Sequence, residues 1–294
     1  MKLTPQNLRE LAGAAQKAAG RAVDVIKNVE TGKLQIRKKE GDLSKAASIV
    51  TQVDLACQQV ILAELRESIE RYDLGILTEE LQDDRSRLAK DYFWCIDPLD
   101  GTLPFTEQQP GYAVSIALVS REGVPTIGVI HDPVTNRSCT AIKGLGVTWT
   151  PSGSDMEDAT RQDLVCYLDR SFKEANSFAA VQAQLQQIVQ DLGLNKLVIR
   201  TGAGAVMNAL SVVRHANAVY FKFPKKTKGG GSLWDYAATA CLFSELNLPV
   251  SDIYGRTLDL NNERTTFMNG SGVLYASHEA LAQKFIEMYQ DLNR

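Results

Sequence analysis

The chain has 294 residues, of which 44% are hydrophobic and 23% charged, which is the balance of a globular protein with a sizeable core. Its formal net charge of -3 excludes a global attraction to nucleic acid polymers or anionic membranes. Residues 1–30 lack the apolar segment of a secretory signal, and the longest apolar run, near residues 113–119, is too short to span a bilayer. The five cysteines form no C-x-x-C pair, which favours reduced thiols. We therefore predict a cytoplasmic protein without a membrane partner.

The first half of the chain reads as a mixture of helices and strands. Residues 4–29 form an amphipathic, alanine-rich pattern typical of a helix, and a second helix follows Thr51. Between them, residues 31–47 are polar and basic, which predicts a mobile hairpin or loop. Six short segments are predicted to be strands, at residues 75–77, 92–96, 113–119, 125–130, 137–142 and 147–150.

The second half alternates strands and helices. A polar stretch at residues 151–158 is the best candidate for a domain boundary. Beyond it the predicted strands are residues 164–168, 197–199, 218–223 and 273–275, and the predicted helices are residues 172–192, 206–213 and 233–245, with one more at the end. We therefore predict an α/β fold with an α+β first half, in which residues 1–150 form a metal-binding domain and residues 151–294 complete the active site.

The motif Asp97-Pro98-Leu99-Asp100-Gly101-Thr102 carries the strongest chemical signal. An apolar strand is predicted to end at Asp97, and a turn through Pro98 can aim two carboxylates and a carbonyl at one point, as Mg²⁺ requires. Gly101 and Thr102 would present backbone N–H groups to a phosphate at the start of a short helix. The alternative is an ordinary turn, because Asp-Pro and Asp-Gly are common turn dipeptides.

Three other acidic residues are ambiguous when each is taken alone. Glu79 follows a predicted strand, where glutamates are usually solvated. Asp54 and Asp235 each stand three residues after a hydroxyl residue, in Thr51-x-x-Asp54 and Ser232-x-x-Asp235, which is also the pattern of a helix capping box.

The order of these motifs along the chain resembles the inositol monophosphatase superfamily, over roughly residues 45–275. This superfamily of magnesium-dependent, lithium-sensitive phosphatases includes the 3'(2'),5'-bisphosphate nucleotidases. The resemblance implies a sugar-phosphatase fold layered α-β-α-β-α, a small phosphorylated metabolite as substrate and two or three Mg²⁺ ions. It also leaves a homodimer open.

The resemblance further implies a role for each motif residue. Glu79, Asp97 and the Leu99 carbonyl would bind the first ion, whereas Asp97, Asp100 and Asp235 would bind the second. Glu79 and the basic loop would complete a third site. Thr102, oriented by Asp54 or Glu79, would help to deprotonate the attacking water. The substrate would contact Asp100, Gly101, Thr102, Lys222 and Asp235.

The substrate is less well indicated than the metal site. In this resemblance Phe221 takes the place of an acidic residue that inositol-specific relatives carry, which counts against inositol, whereas Lys222 and Pro224 resemble the bisphosphate nucleotidases. Residues 202–206 lack the Gly-Ser-Ser-x-Lys motif of those nucleotidases. A bisphosphate nucleotidase is therefore favoured, with an inositol or sugar phosphate phosphatase as the alternative. A catalytically silent, ligand-binding regulator is a third reading. A kinase using Gly229–Gly231 is not supported, because no G-x-x-x-x-G-K-[ST] motif is present.

Overall fold

A computed structural model of the protein describes residues 1–28, 36–38, 49–152, 162–175 and 177–293. The chain begins with helix α1 (Pro5–Asn28), followed by a small antiparallel ribbon of β1 (Ile36–Lys38) and β2 (Ile49–Thr51) and by helix α2 (Gln52–Tyr72). The ribbon agrees with the predicted hairpin where it is described. The rest of the basic segment lies outside the described residues.

A six-stranded sheet follows in chain order, with strand order β3-β4-β5-β6-β7-β8. The first two strands are parallel and the others antiparallel. Two short helices, α3 (Ser86–Ala89) and α4 (Thr102–Thr106), flank the second strand. The strands are β3 (Gly75–Thr78), β4 (Tyr92–Asp100), β5 (Ala113–Ser120), β6 (Pro125–Asp132), β7 (Arg137–Ile142) and β8 (Gly146–Thr150).

A five-stranded sheet occupies the second half, with strand order β10-β9-β11-β13-β12. Strands β10, β9 and β11 are parallel, β13 pairs antiparallel with β11, and β12 pairs antiparallel with β13. The strands are β9 (Leu164–Leu168), β10 (Leu197–Thr201), β11 (Ala218–Lys222), β12 (Val250–Ser251) and β13 (Val273–Ala276). The helices are α5 (Phe178–Asp191), α6 (Ala205–Val212), α7 (Leu233–Glu245) and α8 (Glu279–Leu292).

The elements stack as five layers, as the sequence resemblance implies. Small and branched residues of α1 and α2 pack on one face of the six-stranded sheet, against buried side chains such as Trp94 and Ile116. The other face shares its core with α6, α7 and the five-stranded sheet, through residues such as Phe93, Leu210 and Tyr275. Helices α5 and α8 cover the outer face of the second sheet. The architecture is therefore α-β-α-β-α.

Two predicted boundaries differ from the structure by three residues or more. The helix predicted at residues 172–192 begins only at Phe178, because residues Arg170–Glu174 form a separate 3₁₀ turn after β9. The strand predicted to end at Asp97 continues to Asp100, with a shift of register against β5 between these two residues. Pro98 has no N–H to donate to the ladder, so the pairing with β5 is interrupted at this residue. The pairing resumes at Asp100, so the strand does not end at Asp97.

All five cysteines are buried free thiols, as predicted, and they are spread over α2, both sheets and α7. Burial raises the pKa of each thiol, to about 12 for Cys57 and Cys139. Within the described ranges, no helix is both long and apolar enough to cross a membrane.

Candidate active site

The interrupted end of β4 brings two acidic side chains to the middle of the molecule. Asp97 is 1% exposed and Asp100 is 6% exposed. The backbone N–H of Leu99 donates to the Asp97 carboxylate at 3.0 Å, which fixes the turn between the two aspartates. The register shift lets both side chains leave the strand near one point, as the motif predicts.

A third carboxylate arrives from helix α7. One carboxylate oxygen from each of Asp97, Asp100 and Asp235 lies within 4.8 Å of the other two. Asp235 stands at the third position of α7 and also accepts the backbone N–H of Ser232, so the capping box predicted there is present. The cap and the cluster are compatible, because one carboxylate has two oxygens.

Asp100 also holds the start of helix α6. Its two oxygens accept the backbone N–H groups of Ala205 at 3.1 Å and Val206 at 2.9 Å. This approach needs a glycine at position 204, because a Cβ added to Gly204 would lie 2.2 Å from an Asp100 carboxylate oxygen and 2.7 Å from the Gly101 nitrogen. The six-stranded sheet and the helical layer therefore meet at this carboxylate.

The charges of the cluster are poorly balanced by the protein itself. Burial raises the pKa of Asp97 well above its usual range, and the nearby Glu79 and Asp100 raise it further. Burial and the repulsion of Asp235 likewise raise the pKa of Asp100, although the two helix N–H groups and Lys222 oppose this. The pKa of Asp235 rises to about 6, chiefly through burial and despite the attraction of Lys222.

These carboxylates suit a hard divalent cation. Burial and the neighbouring carboxylates raise the pKa values of Asp97, Asp100 and Asp235, because negative charges lie close together away from water. A divalent ion would neutralise this concentrated negative charge. An all-oxygen donor set of this kind is the one that Mg²⁺ prefers. The chemistry of the residues therefore fits the predicted metal.

The other predicted residues of the site surround this cluster. Thr102 begins α4 directly after Gly101, which adopts a left-handed backbone conformation with φ of 86°. The Thr102 hydroxyl lies 3.4 Å from both the Asp54 carboxylate and the Leu99 carbonyl. The resemblance leaves Asp54 or Glu79 as the residue that orients Thr102, and the 3.4 Å distance is to Asp54. Glu79 follows β3, where its backbone N–H donates to the carbonyl of Ile96. Its negative charge contributes to the raised pKa values of Asp97 and Asp235.

Lys222 lies at the end of β11, and its side chain is only 13% exposed. Lys222 is therefore not a solvated strand lysine. Its ammonium forms an ion pair with Asp169 at 2.9 Å and lies 5.7 Å from the ring centre of Tyr236. Burial lowers the pKa of Lys222, but the charges of Asp169 and other neighbours outweigh this and raise it above the usual value.

The interpretation of Phe221 is wrong in the structure. Side chains alternate along β11, so Tyr220 and Lys222 face the middle layer whereas Phe221 faces the opposite side. Phe221 is 3% exposed and packs against Phe172 and Phe285 beneath the outer helices. It does not replace an acidic residue in the site, and the argument against inositol that rested on it no longer holds.

Three contributors were missed from the sequence. Gly204 is the glycine of the Gly202–Val206 segment that must stay small, although that segment was noted only for the motif it lacks. Asp169 follows β9 at the edge where the parallel strands end, which is the same signal that identified Asp97. Tyr236 donates to the Gly230 carbonyl at 3.0 Å and so anchors the glycine segment before α7.

Comparison with known proteins gives a consistent result. The family model described as "Inositol monophosphatase family" matches residues 7–293. The chain is 25% identical to inositol monophosphatase 1 of Solanum lycopersicum over 287 residues, covering 97% of this chain and 96% of that protein. It is 29% identical to the Nus factor SuhB of Escherichia coli (strain K12) over 255 residues, covering 84% and 87% of the two chains.

The same fold is found among solved structures. The chain superimposes on an IMPase/NADP phosphatase solved with NADP and Ca²⁺ with a TM-score of 0.71 and 16% identity, covering 98% of this chain and 97% of that one. Five matching layers, a family match across the chain and a cluster of buried carboxylates agree with one another. The chain belongs to the inositol monophosphatase family and is a metal-dependent phosphoric monoester hydrolase.

Proposed function

We propose that this protein is a Mg²⁺-dependent phosphomonoesterase that acts on a 3'(2'),5'-bisphosphate nucleotide. The observation that carries the metal assignment is the buried group of Asp97, Asp100 and Asp235, whose oxygens lie within 4.8 Å and whose pKa values are raised. Together with Glu79 and the Leu99 carbonyl, these residues would hold two Mg²⁺ ions. Glu79 would also contribute to a site for a third ion.

When bound, the ions would supply Lewis-acid polarisation of the phosphoryl oxygens and stabilise the leaving oxygen. The protein's own residues orient the attacking water. The Thr102 hydroxyl, 3.4 Å from Asp54, donates its proton towards that carboxylate. Its oxygen lone pairs are then free to accept a hydrogen bond from the water. Asp54 is 2% exposed, so bulk water does not compete for this hydrogen bond.

Two observations favour a substrate with a second phosphate. Lys222 lies at the rim of the cluster and lowers the pKa of Asp235, so a cation is already close to where the reacting phosphate would lie. Three exposed lysines follow Lys222 in the segment after β11, namely Lys225, Lys226 and Lys228. Cations concentrated beside a metal site would neutralise the extra charge of a bisphosphate.

An inositol phosphate is the second candidate. The tomato relative is named an inositol monophosphatase, and the match covers nearly the whole chain. The packing of Phe221 away from the site also removes one argument against inositol. The intact carboxylate cluster argues against a silent regulator, although several relatives are named Nus factor SuhB.

The test compares two substrates under the same conditions. Purified protein with Mg²⁺ is given adenosine 3',5'-bisphosphate or inositol 1-phosphate, and kcat/KM is measured from phosphate release. A preference of at least about tenfold for the bisphosphate, roughly 1.4 kcal/mol, supports the proposal. Preference for the inositol ester would overturn the substrate assignment, and release from neither would overturn both candidates.

A further inference from the structure

An open cavity of about 430 Å³ lies beside the end of β11, under the outer helices. Phe221 forms its base, and the rings of Phe172, Phe223 and Tyr289 line its walls. Phe223 lies 5.7 Å from Phe172 and 5.0 Å from Tyr289, measured between ring centres. The three wall rings are only partly buried, so they offer aromatic surface to whatever enters.

The cavity adjoins the carboxylate cluster through one residue. Lys222 lines the cavity, and its ammonium lies 5.7 Å from the ring centre of Tyr236, the residue that follows Asp235 in α7. Lys225, which is exposed, lines it too. The cavity lies at the edge where the parallel strands β9 and β11 end, and Asp100 of the cluster contacts the start of α6, which follows β10 at the same edge. This is the edge where ligands bind in open α/β sheets.

We propose that this cavity binds the base of a nucleotide whose phosphoester is hydrolysed at the carboxylate cluster. The inference rests on the proposed function and names the part of the substrate that would give selectivity. A nucleobase presents a flat π-face that stacks on aromatic rings, and the phosphates that accompany it are attracted by the two lysines. A polyol ester has no π-face to stack on Phe223 or Tyr289.

The experiment measures binding instead of turnover. Full-length protein with Mg²⁺ is titrated by calorimetry with adenosine 5'-monophosphate and with ribose 5-phosphate, which carries the same phosphate without a base. The ratio of the two affinities isolates the contribution of the base. We expect Tyr289→Ala to lower this ratio about tenfold, near the lower end of what one base–aromatic stack contributes.

Two further variants separate stacking from general damage. Tyr289→Phe keeps the ring and should restore the ratio of the wild type. Tyr254→Ala removes a neighbouring exposed tyrosine whose hydroxyl lies 3.4 Å from that of Tyr289 but which does not line the cavity, so it should leave the ratio unchanged. Thermal unfolding of each variant verifies that it is folded.

The outcomes distinguish this inference from the proposed function. Equal affinity of the wild type for the two ligands, or an unchanged ratio in Tyr289→Ala, would overturn the base site. A base-dependent affinity that Tyr289→Ala lowers supports it. If that result came with no hydrolysis of adenosine 3',5'-bisphosphate, the substrate assignment would fail while the base site stood.

Discussion

Replacing Gly204 by alanine would add a Cβ that collides with Asp100 of the proposed metal site. The new Cβ would lie 2.2 Å from an Asp100 carboxylate oxygen, whereas ordinary contacts begin at 3.4 Å. Either the carboxylate or the start of α6 must therefore move by about 1.2 Å. Moving away from Gly101 offers no relief, because the Gly101 nitrogen is only 2.7 Å from the same Cβ.

A displacement of this size has a predictable cost. A misplacement of about 1 Å in a catalytic arrangement lowers turnover by about 10²-fold. Crowding of a packed interior also costs about 1–3 kcal/mol of folding free energy. We therefore expect Gly204→Ala to lower kcat/KM for phosphate release by about 10²-fold and to weaken the response to Mg²⁺, measured as activity across a Mg²⁺ titration.

Gly13→Ala is the matched control. Gly13 lies in α1 with no atom within 4 Å of an added Cβ, so the same substitution there should leave activity unchanged. It should raise helix stability by about 0.5–1 kcal/mol. If Gly204→Ala kept activity within about threefold of the wild type, the tight approach of Gly204 to Asp100 would have no functional meaning and the reasoning would be refuted.

Three other changes test the charges of the site. Asp100→Asn should lower activity by at least about 10²-fold with little change in metal-free stability, because relief of repulsion with Asp235 offsets the weakened hold on α6. Asp235 has a folded pKa of about 6, above its ordinary 3.8, so it destabilises the metal-free protein increasingly as pH rises between these values. Asp235→Asn should therefore gain stability relative to the wild type as pH rises through that window, and Mg²⁺ should raise the wild-type Tm more at pH 7.5 than at pH 5. Lys222→Met should cost about 2–3 kcal/mol in denaturant unfolding, because it leaves Asp169 unpaired, and adding Asp169→Asn should recover much of the loss.

Each change has a result that would contradict it. Asp132→Asn alters another buried carboxylate, outside the cluster, and should keep full activity; equal loss in Asp132→Asn and Asp100→Asn would point to a general folding defect. A stability difference for Asp235→Asn that does not vary between about pH 4 and 6 would mean that the pKa of Asp235 is not raised in the folded protein. Additive effects of the Lys222 and Asp169 changes would mean that the ion pair contributes nothing.

Local sequence patterns predict most of the fold correctly. Strand β7 and helix α7 have the bounds that the sequence predicts, because alternating or helical apolar spacing continues up to clear turn residues. The continuation of β4 past Pro98 was missed, since a local rule about proline does not reveal that β5 can pair again at Asp100. The late start of α5 was missed for a similar reason, because residues 170–174 are compatible with helix but adopt a 3₁₀ turn.

The candidate site was predictable where it depends on motifs and unpredictable where it depends on packing. Asp97, Asp100 and Asp235 lie together as their motifs imply. The pairing of Lys222 with Asp169 joins residues that are distant in sequence, and no local pattern announces it. The direction of Phe221 could have been read from the strand period, since Lys222 and Phe221 must face opposite sides.

The rate at which the buried thiols react reports how often the structure around each of them opens. A thiol-specific reagent reacts with the thiolate, and burial raises the pKa of every cysteine here, so a closed native structure should label slowly. The five positions sample α2, β4, β7, β9 and α7 without any engineered substitution. The rate at which each becomes modified therefore measures how often its own layer opens. Mg²⁺ should slow labelling of Cys95 in β4 more than that of Cys166 in β9, because β4 carries two of the three carboxylates.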